Sequence, residues 1–117
     1  MSTIKQFEDI EAWKEARELN KLIFLRFKDN KNYSFKDQLF RASLSILNNI
    51  AEGFERNSDK EFQRFLKISK GSAGEVRSML WIGFDMNYIE KHECESLINK
   101  TKSISIKLSG LIKYLNK

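Results

Sequence analysis

The sequence contains no proline and only five glycines in 117 residues. Proline interrupts helices and glycine loosens them, so this scarcity favours long helices and argues against a turn-rich, all-β chain. A single cysteine, Cys94, rules out an internal disulfide and suits a reducing compartment. No apolar run approaches the length of a membrane-spanning helix. The first residues, MSTIKQFEDIEAWKEAREL, show no signal-peptide core. A cytoplasmic protein with no membrane partner is the expectation. With one histidine, His92, most metal and acid–base chemistries lack their usual ligand or base.

What is present is charge and helical periodicity. Charged residues make up 32% of the chain, and 21 Lys+Arg against 16 Asp+Glu leave a net charge of +5. That excess permits a polyanionic partner without requiring one. The length suits one domain, residues 1–117, with one modest core. Polar breaks at DNKNYS, RNSDKE and around residues 87–91 divide the chain into helices of roughly 7–28, 35–56, 58–87 and 90–115. Ser34 with Asp37 reads as an N-cap pair for the second helix, and Ser58 with Glu61 as a capping box for the third. Short connections between long helices predict an all-α, antiparallel up-and-down four-helix bundle.

The second helix carries two apolar lines where one core needs only one. Phe35, Leu39, Ala42, Ile46, Asn49 and Gly53 form the first line, and Phe40, Leu44, Leu47, Ala51 and Phe54 the second. The surplus line predicts self-association, to which Leu22 and Leu25 of the first helix would contribute. Asn49 sits in the apolar line, where an amide can fix register or oligomeric state. Asn48, Glu52 and Arg56 follow one another at helical spacing on the remaining polar strip, which begins with Arg41. Gly53 leaves room for a close neighbour. On the third helix, Gly71 and Gly74 suggest close helix packing, and Ser72 and Glu75 on the edge of the apolar side need partners. Arg41, Asn48, Asn49, Glu52, Gly53, Arg56, Ser72 and Glu75 are therefore the candidate assembly network, an ion-pair and amide device rather than an acid–base site.

The outward side of the third helix carries Lys60, Arg64, Lys67, Lys70 and Arg77 with Trp81 among them, and only Asp85 is acidic in that sector. Such a face can track phosphates, and an indole can stack on a base. The fourth helix spreads Lys100, Lys102, Lys107, Lys113 and Lys117 around its cylinder, which points to solubility. No catalytic residues, metal ligands, cofactor motif or small-molecule substrate site emerge. His92 and Cys94 lack a second ligand pair, and SKGSAGE lacks the spacing of a phosphate loop.

QLFRASLSILNNIAEGFER (residues 38–56) and EFQRFLKISKGSAGE (residues 61–75), with Trp13 and Ala16 before them, resemble the four-helix-bundle proteins encoded in intervening sequences of bacterial 23S ribosomal RNA genes. The resemblance extends over nearly the whole chain. Accessory proteins of diversity-generating retroelements are similar; they act as basic pentamers that bind nucleic acid. The resemblance implies an antiparallel bundle assembled as a ring-shaped homopentamer, with no agreed activity and hence no catalytic residues to carry over. One departure is the lack of proline in the first interhelical turn. Two functions are expected from different classes: an oligomer that binds RNA or DNA through its basic surface, or a structural adaptor whose charge serves solubility alone.

Overall fold

The computed structural model describes residues 4–116 as four helices in a bundle of 45 × 22 × 19 Å. They are α1 (Glu11–Phe27), α2 (Tyr33–Glu55), α3 (Asp59–Asp85) and α4 (Lys91–Leu115). A short 3-10 turn at Phe7–Asp9 precedes α1 and replaces the first residues of the helix expected from residue 7. The extended backbone of Ile10 separates the two. α1 lies beside α2 and α4, α3 lies beside the same two, and diagonal pairs do not meet. This is the expected up-and-down arrangement.

Each helix is delimited by local chemistry. Asn32, rather than Ser34, caps α2: its side-chain oxygen accepts from the Phe35 amide at 3.1 Å. The reason is long-range, because the Asn32 amide nitrogen also donates to the Tyr88 hydroxyl at 2.9 Å, tying the first loop to the third. Phe35 adds to this stitch by packing against both Phe27 and Tyr88. Ser58 caps α3 as expected, its hydroxyl accepting from the Glu61 amide at 3.3 Å. The Glu61 carboxylate, however, is engaged by arginines instead of completing a capping box. Asn57 and Asn87 take the left-handed conformation, with φ of 57° and 63°, just past the ends of α2 and α3. After α3 the Tyr88 amide donates to the Gly83 carbonyl and the Asn87 amide to that of Phe84, which closes the helix with a paired C-terminal cap.

The core is the apolar face that periodicity predicted. Leu39, Ile46 and Ile50 of α2, Leu66, Val76 and Leu80 of α3, and Ile104 and Leu108 of α4 are fully buried with Leu19, Ile23 and Phe27 of α1. Polar groups inside it find partners. Ser69 donates to the Ile46 carbonyl at 2.8 Å, Thr101 to that of Ile98 at 2.6 Å, and Ser43 to Asn20 at 2.9 Å. Cys94 is buried, and its thiol donates to the Leu80 carbonyl. α1 is fastened to α4 largely by charge: Arg26 to Glu93, Lys100 to Glu18, and Lys107 with Ser103 to Glu15. The Lys100 contact holds the Glu18 carboxyl below its ordinary range.

The glycines divide sharply. A Cβ on Gly53 would lie 2.6 Å from the Phe65 Cβ and 3.3 Å from the Phe62 carbonyl, so this glycine permits the close approach of α2 and α3. Gly71 and Gly74 have nothing within 4 Å of such a Cβ, which corrects the expectation that helix packing explains them.

Two outcomes follow from this packing. Gly53→Ala should lower stability by about 1–3 kcal/mol through overpacking, whereas Gly71→Ala should raise it by up to about 1 kcal/mol through helix propensity; denaturant midpoints distinguish the two. Burial, reinforced by Glu95 and Asp85, pushes the Cys94 thiol above its ordinary value, so little thiolate forms at mildly alkaline pH. A thiol-specific chromogenic reagent at pH ~8 should therefore leave Cys94 unmodified in the folded protein and react promptly once the protein is denatured.

Candidate nucleic-acid interface

The packing of α3 decides what it presents to solvent. Phe62, Leu66, Ala73, Val76 and Leu80 bury one side against the other helices. The opposite side consequently exposes Lys60, Arg64, Lys67, Lys70, Arg77 and Trp81, all six of the residues proposed for nucleic-acid contact. They do not stand in the same electrostatic state. Arg64 donates twice to Glu61, at 3.1 and 3.2 Å, and stacks its guanidinium 4.5 Å from the Phe65 ring centroid. That pair holds the Glu61 carboxyl below its usual range and raises Arg64 above its own. The Glu61-x-x-Arg64 spacing is a sequence signal for this pairing. Among the described residues, Lys60, Lys67, Lys70 and Arg77 have no carboxylate within ion-pair distance.

The structure adds a residue that sequence reading had assigned to solubility. Lys102 of α4 joins Lys70 and Arg77 around a shallow depression of about 370 Å³, completed by Ser105, Ile106 and Ser109. Lys102 is likewise unpaired, whereas Lys100 and Lys107 are occupied by the carboxylates of α1. Lys113 is exposed, and Lys117 lies outside the described residues. No periodicity within one helix reveals that Lys102 meets α3, because the meeting depends on the register between two helices. A larger hollow of about 550 Å³ lies between α1 and α4 and is lined by Ile10, Ala12, Leu111 and Tyr114. Its rim carries Asp9 and Glu11 as well as Lys107, a poor setting for a polyanion.

The candidate assembly residues fall into separate groups. Asn49 donates to the Ser45 carbonyl at 2.8 Å and to its hydroxyl at 2.9 Å, and Ser45 meets Ser72 hydroxyl to hydroxyl at 2.8 Å. This amide–hydroxyl chain spans α2 and α3 within one protomer, and Ser45 is the member that sequence reading missed. Arg56 binds Glu52 at 2.7 Å and reaches Glu61 at 3.8 Å, linking the end of α2 to the start of α3 on the surface. Arg41 pairs with Asp37 on an exposed face. The side chains of Asn48 and Glu75 are exposed and have no hydrogen bond or ion pair among the described residues. The second apolar line of α2 is partly accounted for within the chain: Leu47 is buried, and Phe40 and Phe54 pack against the core, where their rings meet Phe24 and Phe62. Leu44 remains 46% exposed, near-level with Phe24 and Leu25 of α1.

Among the described residues, no helix is long and apolar enough to cross a membrane, and no three His, Cys, Asp or Glu side chains gather as a metal site would need. No curated protein matches this chain. A solved structure of a protein of unknown function from the S23 ribosomal protein family of Bacteroides thetaiotaomicron is similar at 25% identity and a TM-score of 0.76. The match covers 87% of this chain and 91% of that one. The pattern describing 23S rRNA-intervening sequence proteins matches residues 8–110, and with a bundle of the same fold beside it, this chain belongs to that family.

Proposed function

We propose that this chain is a non-enzymatic, homo-oligomeric helical bundle that binds nucleic acid, RNA foremost, through phosphate contacts from the outer face of α3. One observation carries the reading: Lys60, Lys67, Lys70 and Arg77, joined by Lys102, are exposed cations without a carboxylate partner. Other cations without an ion pair among the described residues, such as Lys21, Lys31 and Lys91, lie elsewhere on the surface, but these five line one helix and its border with the next. Lysines that neutralise phosphates release condensed counterions, which gives affinity without base-specific readout. A reaction has little to support it, since the exposed His92 side chain has no bonded partner among the described residues and burial keeps the Cys94 thiol protonated.

Assembly, in this reading, multiplies the weak basic flank of one protomer into several linked flanks, and linked sites bind far better than single ones. The ring-shaped pentamer implied by the family resemblance is the proposed form. Support comes from the apolar side chains left open on α1 and α2, with Leu44, Phe24 and Leu25 each about half exposed. The unpartnered Asn48 on the same helix is a further candidate for the contact. A partner protein in place of nucleic acid is the outcome that the charge test would reveal.

Lys67→Glu combined with Lys70→Glu should abolish binding to a structured RNA in an electrophoretic shift assay while leaving the helical spectrum unchanged; undiminished binding by the folded variant would contradict the reading. Leu44→Glu should lower the native mass to that of a single chain without unfolding it, and an unchanged mass would remove α2 from the proposed assembly contact.

A further inference from the structure

We infer that the α3–α4 groove and Trp81 together form a reader of single-stranded nucleic acid, seating a phosphate in the groove and stacking the adjoining base on the indole. The inference rests on the phosphate-binding function proposed above and narrows its ligand. The groove brings Lys70 and Arg77 from one helix to Lys102 from the next, with the hydroxyls of Ser105 and Ser109 beside them and no carboxylate in its lining. Cations supply charge and hydroxyls supply short hydrogen-bond donors, the two requirements of a phosphate. Ile106, 73% exposed in the same lining, offers an apolar contact beside the charged groups, as a ribose carbon face would use.

Trp81 lies one helical turn beyond Arg77, about 6 Å along the axis. It is 41% exposed, which is enough to offer a ring surface to a ligand. Phe84 packs against it with ring centroids 6.2 Å apart and planes at 79°, holding the indole in a defined orientation. Asp85 follows one turn later and closes the cationic track with a negative charge. The arrangement therefore has a polarity, with phosphate toward Lys70 and base toward Trp81. In a duplex the flat faces of the bases are occupied by their neighbours, and extruding one costs a few kcal/mol. A single strand offers those faces freely, so stacking on Trp81 discriminates between the two forms in a way that the lysines alone cannot. Phosphates and base faces are shared by RNA and DNA, so this site separates single strand from duplex, and the preference for RNA in the proposed function is not set by it.

The test is fluorescence anisotropy of the full chain with a short labelled single-stranded RNA, the DNA of the same sequence and the corresponding RNA duplex. The single strands should bind about tenfold more tightly than the duplex. Trp81→Ala should weaken single-strand binding by about tenfold and leave duplex binding unchanged. Lys102→Gln should weaken single-strand binding and flatten its salt dependence by roughly 0.7 in the log–log slope. Equal affinity of the wild-type protein for strand and duplex, or a Trp81→Ala variant that keeps its single-strand affinity, overturns this inference and leaves the phosphate-binding function standing. Failure of the wild-type protein to bind any of the three overturns both.

Discussion

The close approach of α2 to α3 is the constraint from which the remaining features follow. Gly53 removes the one side chain that would hold the helices apart, letting Phe65 and Phe62 come against the α2 backbone. Above that contact, the Ser69 hydroxyl is bonded to the Ile46 carbonyl and Ser72 to Ser45, which in turn accepts from Asn49. Buried polar groups with specific partners tolerate little sliding, because any other register would leave them unsatisfied. The seam thus fixes both the separation and the rotation of α3. With its apolar side turned inward, the helix presents its lysines and Trp81 to solvent as a matter of geometry.

Charge in this protein is organised by which cations have carboxylate partners. α1 carries Glu15, Glu18 and an arginine that meets Glu93, and these contacts supplement the apolar face by which the helix packs on its neighbours. Glu61 and Glu52 occupy Arg56 and Arg64 at the foot of α3. Exposed pairs of this kind stabilise little. They leave Lys60, Lys67, Lys70, Arg77 and Lys102 as a run of cations without a carboxylate partner along α3 and its border with α4. A net charge of +5 is unremarkable when spread over a surface and more consequential when gathered on one side.

Most of the fold was legible in the sequence because it rests on local patterns. The third helix starts at its Ser58 cap, and most of the first apolar line of α2 is buried in the core as its spacing predicts. Misreadings arose where distant parts of the chain decide. Asn32 outcompetes Ser34 as a cap because Tyr88, far along the chain, holds it in place. Ile10 breaks the first helix early as it turns into the core. The candidate assembly residues lie on two helices, and the three-dimensional arrangement splits them into an amide–hydroxyl chain, two separate surface arginine pairs, the Gly53 contact and two side chains without a partner among the described residues. For the interface, the exposed positions on α3 were legible from its amphipathic pattern, whereas the contribution of Lys102 required the register of α3 against α4.

Family membership, a seam that aims α3 outward and a cationic flank without carboxylate partners are the features on which the proposed polyanion binding rests. The most direct measurement is the affinity of the assembled wild-type protein for a structured RNA across a series of salt concentrations. With the five cations of the α3–α4 flank engaged, the logarithm of the binding constant should fall with the logarithm of salt at a slope of roughly −3.5 for single-stranded contacts and steeper for duplex. Absence of binding at low salt, or an affinity indifferent to salt, would contradict the account.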